Sequence, residues 1–389
     1  MPESTPLIAD ADAFDALATR IRRCHELAID TESNSLHSYQ ERVCLIQITA
    51  RYGDGSRELA IVDPLAIEDL TALAAPLADP HVVKILHGAN YDVLCLKRDY
   101  GFTFRNLFDT MIAAQIAGLP KYGLADLVET FFSVSLDKRY QKHDWAQRPL
   151  TDEQRLYAIL DTYYLPELRE HLTARVAERG RVDQLQEELE RLEELTPALP
   201  LADIERVRRI KGAARLSDQE LRVLLALWRL REGLAEEVDR PVFKVISNQD
   251  LLLLACDQPQ DPAALKRTLR PRSPAASRYA KQVLEAIRRG QEDDTRLRVP
   301  CAKEGNGRLS RSQERQLARL KDWRNATAKR EQIEPALVAN NDLLRRITQS
   351  PPRSTAEMAA IDGMRRWQVA RYADAILALL AENCGNGAG

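Results

Sequence analysis

Glu26-Leu-Ala-Ile-Asp-Thr-Glu-Ser33 is a short apolar run that closes on two carboxylates, Asp30 and Glu32, two residues apart. In an extended strand, side chains at i and i+2 leave the same face, so both acids point into one region. Two like charges held that close repel and desolvate each other unless a cation lies between them. Such a strand end is a candidate divalent-metal site. Two solvated surface acids are the plainer reading of an isolated Asp-x-Glu, and what surrounds the run has to decide.

Upstream, residues 10–23 predict a helix with Phe14, Leu17 and Ile21 on one stripe. The strand-like runs Leu27–Glu32, Val43–Thr49 and Leu59–Val62 lie close enough together for an antiparallel meander. Within the second run, Gln47 is expected to be a buried, hydrogen-bonded support. A fourth strand, Val82–His87, passes through Gly88-Ala-Asn90 into a helix. Asn90 is read as its N-cap, which puts Asp92 in the first turn. Asp109 reads as a second cap, and helices are predicted over Asp109–Ala117, Leu124–Phe132 and Glu153–His171. The last carries Tyr157 and Asp161, whose i, i+4 spacing stacks them on one face. Strands first, then strand and helices in alternation, predict a mixed α/β layer structure.

Asp-x-Glu on a strand, Asp early in a helix and Tyr-x-x-x-Asp on a later helix together resemble the DEDDy exonuclease superfamily, and within it the ribonuclease D family. The resemblance covers most of residues 7–175. It includes Leu45-Ile-Gln-Ile48, Asp63-Pro64, Leu86-His-Gly88, Phe108-Asp-Thr110, Asp144-Trp145 and Arg148-Pro-Leu150. It implies an α/β ribonuclease H-like exonuclease domain with a mixed sheet. The implied activity is a 3′→5′ exoribonuclease that removes mononucleotides from RNA with a free 3′ end, with tRNA precursors as substrate.

Such chemistry must stabilise extra negative charge on both the attacking and the leaving oxygen, which two divalent ions roughly 3.5–4 Å apart do symmetrically. Asp30, Glu32, Asp92 and Asp161 offer the hard oxygen ligands that Mg2+ or Mn2+ prefers. No histidine or cysteine cluster at these positions favours zinc. Tyr157 is the candidate to orient the attacking water. His87, Asn90, Lys138 and Arg139 are candidate substrate contacts; a satisfied strand-end histidine and a solvated basic loop are their plainer readings. Ser33 departs from the family, which usually has an aromatic residue there beside the terminal nucleotide, and Tyr39 is the candidate substitute.

The chain has 389 residues, too many for one core. No run of about 18 apolar residues is present to span a membrane, and Met1–Asp10 lacks a signal-peptide layout. The six cysteines are scattered without a Cys-x-x-Cys pair, as expected of thiols in a reducing cytoplasm. The net charge of -2 hides an uneven spread, with eight basic residues against three acids from Glu205 to Arg231. Pro262–Leu284 adds six basic residues and no acid. That suits a polyanionic partner, and solvated helix faces would account for it equally.

After an acidic helix predicted over Gly180–Pro200, a motif set occurs twice. Trp228-Arg229, Ile246-Ser-Asn-Gln-Asp-Leu-Leu252 and Tyr279-Ala-Lys-Gln-Val-Leu284 parallel Trp323-Arg324, Val338-Ala-Asn-Asn-Asp-Leu-Leu344 and Tyr372-Ala-Asp-Ala-Ile-Leu377. This is a duplicated helical module of about 75–80 residues. Each copy resembles the HRDC domain, a nucleic-acid-binding helical bundle. Trp228 and Trp323 are read as core residues. The expected layout is an exonuclease domain at 1–175, a helical connector at 176–212, HRDC domains at 213–292 and 309–389, and a linker at 293–308. A monomer is expected, with no protein partner indicated. Two other functions fit the same residues: a DNA 3′→5′ exonuclease, and an RNA-binding adaptor on an inactive nuclease fold.

Overall fold

The computed structural model describes residues 5–270, 273–297 and 309–381. Six strands, β1 (Leu7–Ile8), β2 (Glu26–Ser33), β3 (Val43–Arg51), β4 (Arg57–Val62), β5 (Val83–Leu86) and β6 (Leu107–Asp109), form one mixed sheet in the order β1-β4-β3-β2-β5-β6. β3 and β4 pair antiparallel, whereas β1 with β4, β2 with β5 and β5 with β6 pair parallel. The His25 N–H donates to the Arg51 carbonyl (3.1 Å) and the Asn34 N–H to the Arg42 carbonyl (3.4 Å), as antiparallel neighbours do. The expected meander is therefore β2-β3-β4. β1 and β6 were not foreseen, because two or three residues are too short to show a period of two.

Helices α1 (Ala11–Ile21), α2 (Ala74–Ala78), α3 (Asn90–Tyr100), α4 (Thr110–Ile116), α5 (Leu124–Phe132), α6 (Asp152–Tyr163), α7 (Leu165–Glu178) and α8 (Val182–Glu193) pack around this sheet. Asp10 caps α1 by accepting from the Ala13 N–H (2.9 Å), and the predicted stripe of Phe14, Leu17 and Ile21 is buried.

Four expectations need correction. The single helix over Glu153–His171 is two helices, because Pro166 lacks an amide and sits at the start of α7. The Gly180–Pro200 helix shrinks to α8, with Leu185, Leu189 and Leu192 buried. Asn90 is not a cap: Ala89 holds that position without a side-chain bond. Asp109 does the capping instead, accepting from Gly88 N (3.1 Å) and Ala89 N (2.7 Å) as well as from Met111 N (2.8 Å) and Ile112 N (3.1 Å) at α4. Lastly, Gln47 is fully buried, but neither amide atom has a hydrogen-bond partner. Its strand neighbour Leu45 and its cross-strand partner Ile61 are apolar, and Thr49 bonds Thr162 (2.9 Å) instead.

Among the described residues the duplicated half contains helices and no strand. After α9 (Asp203–Arg208), the first copy comprises α10 (Asp218–Glu237), α11 (Val242–Val245), α12 (Asn248–Asp257), α13 (Pro262–Thr268) and α14 (Ala280–Glu292). The second comprises α15 (Arg311–Glu331), α16 (Pro335–Val338), α17 (Asn341–Gln349), α18 (Thr355–Ala359) and α19 (Arg366–Ala381). Both long first helices open on a capping box, Ser217 with Glu220 and Ser310 with Gln313. In each copy an arginine of that helix holds the asparagine that opens the third: Arg231 to Asn248 (2.6 Å) and Arg324 to Asn341 (2.8 Å). Trp228 is a core residue, and Trp323 packs edge-on against the buried Tyr372 at 5.6 Å. Of the linker expected at 293–308, residues 298–308 lie outside the described residues, as do Cys301 and Cys384. Cys24, Cys44, Cys95 and Cys256 are thiols. No described helix is long and apolar enough to cross a membrane.

The described residues fall into two compact units. One is drawn from Met1–Glu32, Val43–Pro197 and Gly305–Gly389, the other from Ser33–Arg42 and Ala198–Glu304. The second repeat is thus part of the sheet-bearing unit. There Glu187 of α8 caps α19, accepting from Arg366 N (2.8 Å) and Trp367 N (3.0 Å), while Arg365 pairs with Glu188 (2.9 Å). The buried Arg181 guanidinium donates to the Ile116 carbonyl of α4 (2.7 Å) and the Glu331 carbonyl of α15 (2.6 Å).

The first repeat depends on close approach of α10 and α14. A Cβ at Gly290 would fall 2.5 Å from the Val223 Cα. Gly290→Ala is therefore expected to cost about 1–3 kcal/mol, as overpacking does. Denaturant unfolding should show this as a lower midpoint.

Candidate active site

β2 delivers Asp30 and Glu32, and α6 delivers Asp161. One carboxylate oxygen of each lies within 4.8 Å of the others, and the described residues hold no other such group of potential metal ligands. Asp92, in the first turn of α3, stands outside this triplet, and the Thr31 hydroxyl donates to its Oδ1. It is nonetheless coupled to all three through its charge. Burial, then the charges of Asp92, Asp161 and Glu32, holds the Asp30 carboxyl well above the usual carboxylate range. Glu32 is pushed up to about 9 by burial and by Asp161 and Asp92. Burial and Asp92 raise Asp161 to about 7. Asp92 rises only to about 6, because the Thr31 hydrogen bond opposes its burial. Four carboxylates that resist ionising together fit a binding site for hard divalent cations, whose charge reverses the repulsion.

A cavity of about 350 Å³ opens on this cluster, lined by Asp30, Asp161, Tyr157, His87 and Lys138 among others. Tyr157 lies one turn before Asp161 on α6. Its phenol pKa is raised, first by burial and then by Asp161, Glu32 and Asp30, so the hydroxyl keeps its proton. The ring is held by aromatic neighbours. Trp145 stacks on it with centroids 5.9 Å apart, and Tyr140 meets it edge-on at 5.5 Å. Trp145, 1% exposed, is itself fixed by Arg148. That guanidinium donates to the Trp145 carbonyl (2.8 Å), the Cys44 carbonyl (3.0 Å) and both oxygens of Asp63 (2.6 and 2.8 Å). The motifs Asp63-Pro64, Asp144-Trp145 and Arg148-Pro-Leu150 thus form one clamp behind Tyr157. Local spacing discloses no such role for them, since Asp63 and Arg148 lie 85 residues apart.

The remaining candidates divide. His87 Nδ1 lies 2.9 Å from Thr110 Oγ1, and that hydroxyl donates to the Leu86 carbonyl (3.0 Å), so Nδ1 must be the donor. Burial lowers the His87 pKa and keeps the ring neutral, and Asp109 opposes this. Lys138 is exposed at the cavity wall. Asn90 is exposed and does not line the cavity, and Arg139 pairs with Asp137. Tyr39 packs against the first repeat's core, with its hydroxyl donating to Glu232 (3.4 Å), so it is not available as expected for Ser33.

Residues 6–177 match the 3′-5′ exonuclease family model, and residues 220–287 and 313–380 each match the HRDC domain. A ribonuclease D from Desulfotalea psychrophila is 30% identical over 345 residues, spanning 88% of this chain and 90% of its own. The chain belongs to the ribonuclease D family. A ribonuclease D from Gluconacetobacter diazotrophicus is 30% identical over 365 residues, 92% of this chain and 89% of its own. The crystal structure of Escherichia coli RNase D, described as an exoribonuclease involved in structured RNA processing, superposes with a TM-score of 0.72. It is 25% identical and covers 97% of this chain and 99% of its own. As a member of that family, the protein is a 3′→5′ exoribonuclease, a hydrolase acting on RNA with the aid of divalent cations.

These acids are harder to ionise in the folded chain than in the unfolded one. In metal-free protein the cluster's contribution to stability should therefore fall as pH rises from about 4 through about 7 for Asp161 and about 9 for Glu32. Asp161→Asn should flatten that fall, and so should added Mn2+. Denaturant unfolding in EDTA across this range measures it, and a level profile would contradict the crowding.

Proposed function

We propose that Asp30, Glu32, Asp92 and Asp161 hold two divalent cations, Mg2+ or Mn2+, and that the cavity they share with Tyr157 receives the 3′-terminal nucleotide of an RNA. The observation that carries this reading is the convergence of Asp30, Glu32 and Asp161 within 4.8 Å, next to a phenol that stays protonated. When bound, such a pair of cations lowers the pKa of the attacking water and neutralises the departing 3′-oxygen. Tyr157, caged by Trp145 and Tyr140, holds that water in line by hydrogen bonding; its raised pKa makes it a poor base. His87, kept neutral by its burial, and Lys138 face the terminal nucleotide and its phosphate across the same cavity.

In this reading residues 1–175 carry the chemistry, and the helical modules at 213–292 and 309–389 contribute the grip on RNA. The substrate class is tRNA precursors with extra 3′ nucleotides, and the protein works as a monomer in the cytoplasm. Matched RNA and DNA oligomers with a frayed 3′ end test the sugar preference, which depends on contacts to the 2′-hydroxyl.

Asp30→Ala and Asp161→Ala should each lower turnover by roughly 10²–10³-fold or more while leaving metal-free RNA affinity near wild type. Wild-type turnover in either variant would overturn the assignment. Tyr157→Phe should lower kcat by about 10²-fold with KM changed less than about twofold. A matching loss of affinity would make the hydroxyl a substrate grip instead.

A further inference from the structure

The unit formed by Ser33–Arg42 and Ala198–Glu304 contains a second cavity, of about 570 Å³, that shares no residue with the acid cluster. One wall is the segment that leaves β2, whose Tyr39 N–H donates to Asp239 (3.0 Å) and whose Tyr39 hydroxyl donates to Glu232 (3.4 Å). The facing wall carries three guanidinium groups, Arg206 and Arg209 at α9, just before the first repeat, and Arg231 on α10 of that repeat, beside the Glu232 carboxylate.

These cations are incompletely neutralised. Arg231 is 4% exposed. It donates to Asn248 (2.6 Å) and Glu232 (3.0 Å), but its buried Nε has no partner. Arg206 lies over the Trp228 ring, 5.0 Å from its centroid, and its charge adds to the burial that depresses the Arg231 pKa. The Arg206 and Arg209 side chains are exposed, and neither guanidinium makes a hydrogen bond or ion pair with any described residue. At the rim Phe243 is 54% exposed, an unusual state for a phenylalanine. Adjacent unpaired guanidinium groups recognise phosphate, and an exposed ring beside them recognises a base by stacking.

We propose that this cavity is a second nucleotide site, which takes one nucleotide of single-stranded RNA with its phosphate on Arg206 and Arg209 and its base on Phe243. The choice of RNA rests on the exoribonuclease reading; the presence of guanidinium groups and an exposed aromatic ring in one cavity does not. The segment after Glu32 builds one wall of the cavity. The first repeat and α9 before it therefore recognise RNA jointly with a piece of the exonuclease sequence.

The test is fluorescence anisotropy of a labelled single-stranded oligoribonucleotide on the full-length protein in EDTA, over a salt series. The Arg206→Ala/Arg209→Ala double variant should bind about tenfold more weakly, with the log-log salt slope reduced by about 0.7 for each phosphate it no longer neutralises. Phe243→Ala should also bind about tenfold more weakly, with the slope unchanged. Arg215→Ala, an exposed basic residue of the same unit that does not line the cavity, is the control. Unchanged affinity in the double variant, or an equal loss in Arg215→Ala, would overturn the site, the second outcome by showing a diffuse basic surface. All three variants alter exposed side chains, and circular dichroism melts verify folding. Hydrolysis is not read in EDTA, so failure of the wild-type protein to cleave the same RNA when Mg2+ is supplied would count against the catalytic assignment alone.

Discussion

Mutual repulsion among Asp30, Glu32, Asp92 and Asp161 is the constraint around which the sheet-bearing unit is arranged. Carboxylates this buried do not ionise together without a counter-charge. The fold must therefore hold them against a force that would push them apart. β2 does so by sitting deep in the sheet between β3 and β5, with α3 and α6 supplying the other two acids. The cost is local instability whenever no cation is bound. The return is a place where hard cations bind for electrostatic reasons before any substrate arrives.

The supports behind the acids are polar and pre-set. Asp109 uses one buried carboxylate to hold four amide groups at the starts of α3 and α4, so the helix bearing Asp92 is fixed at its first turn. Arg148 ties the 140s segment to Asp63 and the sheet, and Trp145 passes that rigidity to the Tyr157 ring. A hydroxyl that must orient a small molecule gains from such a cage, because little rotational freedom is left to lose on binding.

The acids were legible because their spacings carry geometry: two residues on a strand, four on a helix. Asp109 was also readable as a cap, although its reach back to Gly88 and Ala89 was not. What escaped depends on distant pairs. The clamp of Asp63, Trp145 and Arg148 joins segments whose proximity no local pattern encodes. Gln47 was misread because a polar residue in a buried strand ordinarily finds a partner, and here its neighbours are apolar or already engaged. The break at Tyr164 could have been found from Pro166 alone. In the duplicated half the repeat was visible in paired tryptophans, asparagines and tyrosines. The split of the two copies between different units was not visible, because the contacts that join the second copy to α8 are long-range pairs such as Arg365 with Glu188.

That split means the two copies are not interchangeable parts. The second copy is anchored where Glu187 and Glu188 receive the start of α19 and where Arg181 joins the ends of α4 and α15. Glu187 and Arg181 bond main-chain groups there, so a chimera carrying the first copy's sequence at this position would have to reproduce the chain path at the end of α15 and the start of α19, and not only the side chains. Duplication supplied two equal modules, and specialisation has made one of them a fixture of the enzyme's scaffold.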